Sequence, residues 1–239
     1  MVGTVIAKVA GSSLGATYTM PAADGASGEF LKTDGSTNLS FGSAAAGFNS
    51  VQTPSTGTYN KTAGTTKIIV EVQGGGGGAS PSNGVSWGAC GGGGSYVKQY
   101  IDVSAISTGT VVVGVAGTSG TSPTVGGTSS FSCTGVSISC LGGGAASYAG
   151  SPHSDGGVGG VATASGANVL INGQNGRPGY GYASKGGDSG LGLGGSTYLY
   201  DDRIGPDATG YGGGGGVGLN TNGTAGDATV GIVIVWEYK

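Results

Sequence analysis

Residues 74–78 are five consecutive glycines, and they lead directly out of the β-branched segment 67–73 (KIIVEVQ). Further runs follow at 91–94, 142–144, 156–160 (interrupted by Val158), 190–195 (alternating with leucine) and 212–216. A run without side chains contributes nothing to a hydrophobic core. It is also a poor helix or strand former, because each Gly costs roughly 0.5–1 kcal/mol more than Ala to order. With 58 Gly in 239 residues, that cost reaches the order of tens of kcal/mol, an upper bound because many glycines sit in turns. Only very close backbone approach or widespread positive φ could offset it. A backbone-dominated core is therefore the expectation.

Linker, collagen and disorder do not account for the glycine content. A flexible linker is monotonous in Gly and Ser, whereas these runs lie between apolar β-type segments. Collagen needs a strict Gly-X-Y period, which is missing. Disorder goes with high net charge and few β-branched residues, but the net charge is -3 and Val, Ile and Thr recur in short runs. A side-chain-free run can adopt the extended threefold helix of polyproline and polyglycine II, which makes no hydrogen bonds within its own chain. Buried amides must be paired, so such runs would bond sideways to one another as a lattice of glycine helices. The alternative is a set of flexible loops. Strands at both ends, which would clamp the segment, favour the lattice.

Strands are predicted at 67–73, 95–103 (SYVKQYIDV), 111–115 (VVVGV), 128–133, 136–141, 167–171 (ANVLI) and 230–236 (VGIVIVW). No 3.6-residue apolar stripe appears, so the class is all-β. Residues 1–50 form a separate N-terminal β-rich segment. Its Asp24-Gly25 and Asp34-Gly35 pairs are turn signals, and the strands between them are about four residues long. Such a segment buries little surface alone, which favours an oligomer. Residues 51–239 form the glycine-rich domain.

Several function classes lose support. Charged residues are 9% of the chain and the nine basic ones are scattered, which argues against nucleic-acid binding. No stretch of about 18 apolar residues predicts membrane insertion. Residues 1–10 lack a basic region followed by a long apolar one, so a secretory leader is not expected and synthesis in a reducing cytoplasm is the default. Cys90, Cys133 and Cys140 make no disulfide framework. Cys133 and Cys140 could pair or remain buried thiols. His153 is the only histidine, and no metal site or cofactor is expected. No P-loop occurs, and Gly186-Gly187-Asp188 lacks the nonapeptide period of calcium-binding β-rolls. Asp201-Asp202 with Asp207 singles out no acid pair suited to glycoside hydrolysis. No enzymatic activity is expected.

The succession is more informative than any single run. Residues 67–78 (KIIVEVQGGGGG), 91–103 (GGGGSYVKQYIDV), 111–117, 127–133 (GTSSFSC) with 139–144, 168–176 (NVLINGQNG), 212–216 and 231–238 (GIVIVWEY) resemble the glycine-rich domain of phage tail fibres. A related arrangement occurs in the distal tail-fibre adhesins of T-even-like phages. The N-terminal Asp-Gly repeats resemble fibre shaft or attachment repeats. The resemblance implies a short N-terminal attachment or shaft segment followed by a β-sandwich-like domain with polyglycine II-type runs. It also implies a virion component assembled in the host cytoplasm, a homo-oligomer and often a trimer. Other tail or virion proteins would be held through residues 1–50. Loops between the runs would bind a host surface glycan or outer-membrane protein. A purely structural fibre or capsid decoration protein is the alternative. The stretch 186–195 departs from the pattern, since Asp188, Leu191 and Leu193 interrupt it.

The loops carry the aromatic residues. Trp87 lies in 79–90, Tyr148 and His153 in 145–155, Tyr180 and Tyr182 in 174–184, and Tyr198, Tyr200, Asp201, Asp202 and Arg203 in 196–208. Tyr and Trp offer stiff contact area with a polar edge, and these ten are the candidate receptor-binding residues. They could equally pack over the bare glycine scaffold. If the runs zigzag, only alternate loops share an end, and two or three of the four loops are predicted to cluster there.

Overall fold

The computed structural model of the protein describes residues 21–23, 29–33, 38–43, 47–83, 87–147, 154–179, 184–196, 204–218 and 223–239. Fourteen strands and no helix occur among them. The chain divides into two units, Met1–Gly47 (with Lys239) and Phe48–Tyr238. In the first, β1 (Glu29–Thr33) pairs antiparallel with β2 (Leu39–Ser43), from Glu29 opposite Ser43 to Thr33 opposite Leu39. Both Asp-Gly pairs lie outside the described residues.

The second unit begins with β3 (Phe48–Gln52) and β4 (Gly57–Asn60), followed by β5 (Lys67–Gln73), β6 (Tyr96–Asp102), β7 (Thr108–Val112), β8 (Ser129–Cys133) and β9 (Val136–Cys140). Then come β10 (Ala162–Ala164), β11 (Val169–Ile171), β12 (Leu191–Leu193), β13 (Thr209–Tyr211) and β14 (Ile232–Tyr238). Two antiparallel five-stranded sheets, ordered β11-β6-β5-β14-β3 and β10-β9-β8-β7-β4, face each other. Strand alternation turns Ile68, Val70, Val72, Val97, Ile101, Val233 and Val235 of the first sheet inward. They meet Tyr59, Val111, Phe131, Ile138 and Cys140 of the second in one buried cluster. The boundary expected at 50/51 falls inside β3, whose Phe48 is already paired with Tyr238 of β14.

Above the sandwich the strands run straight into glycine. β5 continues into 74–78, and 91–95 feeds β6. Amides of 74–78 donate in turn to Ser95, Gly127, Thr229, Gly92 and Thr124 at 2.8–3.0 Å. Every third amide therefore returns to the same neighbour, the threefold repeat expected of polyglycine II. The same run accepts from Gly143, Gly117, Gly215 and Ala146. It thus touches six neighbouring runs: three accept its amides and three others donate to it. Residues 91–95 are surrounded likewise, donating to the runs at 212–216, 141–144 and 174–177 and accepting from 74–77, 157–160 and 187. The buried run 212–216 is a third of this kind, bonded to 74–78, 91–94, 187, 195, 206 and 226–230, so three interior helices and a ring of outer ones make a hexagonal lattice.

Close approach, not chirality, demands the glycines. A Cβ added at Gly76 would stand 1.9 Å from the Gly213 carbonyl oxygen, and at Gly91 1.8 Å from that of Gly77. Among the described glycines, positive φ is confined to Gly57, Gly64, Gly120, Gly135, Gly166, Gly210 and Gly212, mostly in turns.

Two expectations are corrected. The third predicted strand, 111–115, sits at Thr108–Val112 instead, because Gly114 lies against the carbonyl of Gly127 and the chain there has joined the lattice. The stretch 186–195 is not one run. Asp188 accepts from Gln174 as a lattice residue, Leu191–Leu193 forms β12 against β13, and Gly195 re-enters by donating to Gly214. The three cysteines are free. In the β8–β9 hairpin Cys133 is opposite Val136 and Cys140 opposite Ser129. The two thiols therefore stand at opposite ends of it, about 13 Å apart along the strand, beyond the reach of a disulfide.

Candidate functional site

Polarity of the runs decides where the connections emerge. Residues 74–78 run away from the sandwich and 91–95 return to it, since the pairs 74/95 and 77/92 are antiparallel. The next reversals, between β6 and β7, β8 and β9, and β10 and β11, occur at the far end of the sandwich. The result is one long connection at the lattice end for every tight turn at the other. The described flanks of 79–90, 145–155, 174–184 and 196–208 all stand at that lattice end. Flanks of 118–123 and 218–223 join them. The described bases of all four aromatic-bearing segments therefore share an end, more than alternation of single runs predicts. The unit of alternation is a run plus its strand and turn.

Hydroxyl side chains tie these flanks together where glycine gives out. Ser80 Oγ accepts from the Ala89 amide at 2.9 Å and donates to the Ser147 carbonyl at 3.2 Å. Ser82 accepts from Gly88 through Oγ at 3.0 Å, while its own amide donates to Gly223 at 2.9 Å. Ser119 Oγ donates to Gly226 at 2.7 Å and accepts from Ala79 at 3.0 Å. Gly205 donates to Thr224 Oγ1 at 3.0 Å, and Ser147 and Asp155 bond to each other across the base of their loop. Backbone groups that would otherwise be orphaned at the ends of the glycine helices are thus satisfied. The loop bases form a stitched platform.

Residues 52–237 match the family model described as a glycine-rich domain. The chain belongs to the glycine-rich domain family. No curated protein matches it. The matched span opens in β3 and closes in β14, so the glycine-rich domain comprises the sandwich and the lattice together.

Of the ten candidate residues, Trp87 alone lies among those described. It is half-buried, and its carbonyl and that of Gly88 lie where a Cβ on Gly179 would collide with them, at 2.7 and 2.3 Å. The 79–90 and 174–184 connections therefore meet at Trp87. Tyr148, His153, Tyr180, Tyr182, Tyr198, Tyr200, Asp201, Asp202 and Arg203 lie outside the described residues.

The chemistry of the described groups at this end is muted. Burial pushes the Cys90 thiol up to about 12 against the hydrogen bonds that would lower it, so it is no nucleophile at neutral pH. Lys185 pairs with Asp188. Among the described residues no three His, Cys, Asp or Glu gather as metal ligands. Sequence reasoning missed the runs that mix glycine with other residues, such as 173–179 (GQNGRPG). Their signal is present nevertheless. Gly173, Gly176 and Gly179 recur every third residue, and each abuts a carbonyl in the 88–93 segment.

Proposed function

We propose that this glycine-rich domain protein is a phage tail-fibre adhesin that attaches the virion to the host cell surface. The observation that carries the reading is the convergence of the described bases of all four aromatic-bearing segments on one end of the lattice. The ordered succession of strands and glycine runs, which resembles that of phage tail fibres, supplies the biological setting. A stitched backbone platform tolerates variation in the segments between its anchor points. That suits a surface whose specificity must change while its fold does not. Trp87 and the aromatic residues of the neighbouring loops then contact a surface glycan or an outer-membrane protein, and no catalytic step is assigned to them. Residues 1–47 join the chain to other tail or virion proteins. Several copies in one fibre convert weak single contacts into avidity.

The test is adsorption. Purified chain is added to cells of the host of the phage that encodes it, followed by the phage. Adsorption should fall in a dose-dependent way, and replacement of Trp87, Tyr198 and Tyr200 together by alanine should abolish the block without changing the melting temperature. Undiminished adsorption at saturating protein would overturn the reading in favour of a purely structural fibre component. Release of reducing ends from host polysaccharide would overturn it in favour of a glycan-cleaving enzyme.

A further inference from the structure

The two outer faces of the sandwich differ. On the β10-β9-β8-β7-β4 sheet the outward positions are Thr58, Thr110, Ser132 and Ser137 in one cross-strand row, with Val112, Ser130, Ser139 and Thr163 in the next, so hydroxyls predominate. That face carries hydroxyls into water. The outer face of the β11-β6-β5-β14-β3 sheet instead carries a wholly apolar row beside one with an internal ion pair. One row reads Val51, Trp236, Ile69 and Tyr100, and the row above it Ile234, Glu71, Lys98 and Val169. Phe48 closes a corner, with its ring centroid 6.5 Å from that of Trp236 and 6.1 Å from that of Tyr238. Phe48 is 60% exposed, Val51 and Tyr100 47% and Val169 41%.

We propose that this sheet face is the surface through which copies of the chain self-associate, apolar face against apolar face. Charge identifies the partner. Glu71 is bound by Lys98 at 3.3 Å, by Tyr96 Oη at 2.9 Å and by Trp236 Nε1 at 3.0 Å. Lys67 stands opposite Asp102 in the β5–β6 register. The face is therefore neutral within itself and offers no uncompensated charge to an acidic or basic partner, whereas a second copy presents the same neutral, apolar surface.

Size agrees. Strands about 4.8 Å apart and about 3.3 Å per residue give a face of roughly 500 Å², so two faces bury on the order of 1,000 Å², the threshold for a specific interface. Shape agrees as well. Rotation about an axis parallel to the strands lays the aromatic β3 edge of one copy over the aliphatic β11 edge of the other. The loop-bearing ends then point the same way. This assembly does not depend on what the loops bind, so its failure and that of host attachment are separately visible.

The experiment is sedimentation velocity of the full chain over a hundredfold concentration range. The wild type should sediment as an oligomer. Val51→Lys and Val169→Lys, placed on the two edge strands, should each raise the dissociation constant at least tenfold. Thr110→Lys on the hydroxyl face should leave it unchanged. Circular dichroism and melting identify any variant that fails to fold, and the second edge variant then decides. A monomeric wild type at every concentration, edge variants that stay assembled, or equal dissociation by Thr110→Lys would each overturn the proposal.

Discussion

The sandwich and the lattice share the same strands, yet they cohere by opposite means. In the sandwich the backbone bonds within flat sheets, and cohesion between layers comes from side chains such as Ile68, Phe131 and Val233. In the lattice each interior backbone bonds to six neighbouring runs and its glycines have no side chains to interlock. A sheet tolerates variation of its side chains because some volume can be refilled by neighbours. The lattice tolerates none at its interior, because the space a methyl would need already holds a carbonyl oxygen. One carbon atom should thus weigh very differently in the two regions.

The largest expected effect tests that asymmetry. A Cβ on Gly93 would stand 2.1 Å from the Asp188 carbonyl oxygen. Neither backbone can yield without breaking the bonds from Gly93 to Gln174 and from Gly160 to Gly93. Gly93→Ala should cost roughly 4 kcal/mol or more, among the severest single changes. Ile68→Val, which removes one methylene from the fully buried core, should cost about 1 kcal/mol. Urea unfolding of the two variants measures both. Similar losses would mean that the lattice relaxes like a side-chain core.

How much of this was legible depended on how glycine was written. The pure runs at 74–78, 91–94 and 212–216 announced themselves, and they are the three interior helices with six neighbours each. Edge helices were harder to see, since they need glycine only on inward sides. Residues 156–160 (GGVGG) face three neighbouring runs and expose Val158, whereas 173–179 turn one glycine in three inward. The length of a glycine run thus reports how deeply it lies, a rule of the threefold helix that single-run inspection does not reveal. The core strands were legible as β-branched and apolar runs, such as 67–73 and 230–236. Short strands β10, β12 and β13 were not, because three residues carry no periodicity. Of the candidate site, the shared end followed from topology, which no local pattern encodes.

The sandwich holds a fully buried carboxylate in Glu237, and acid should separate it from the lattice. Glu237 is fully buried. Burial alone would raise its pKa, but hydrogen bonds from Ser50, Thr62 and Tyr59 outweigh it and hold the carboxyl at about 2, against an ordinary 4.5. A depressed folded-state value means that the stabilisation is complete above about pH 4.5 and is lost as the pH falls toward 2. The loss is on the order of 3 kcal/mol. Denaturant midpoints measured from pH 6 to pH 2 should fall through that window, and Glu237→Gln should flatten the fall. A Glu237→Gln profile as steep as that of the wild type would shift the acid sensitivity elsewhere.

The smallest effect is the most discriminating. Gln174 lies on an outer helix beside Gly173, and its amide and carbonyl bond Asp188 and Gly93 while its side chain is exposed. A Cβ on Gly173 would meet the Gly93 carbonyl at 1.9 Å. If position along the threefold helix decides, Gln174→Ala should stay within about 0.5 kcal/mol of wild type, because it alters no backbone bond and no packed surface. Gly173→Ala, its immediate neighbour, should unfold the protein at far lower denaturant. Parallel urea titrations of the pair need no structure to interpret. Equal behaviour at adjacent residues would mean that run composition, and not the facing of each residue, sets tolerance in the lattice.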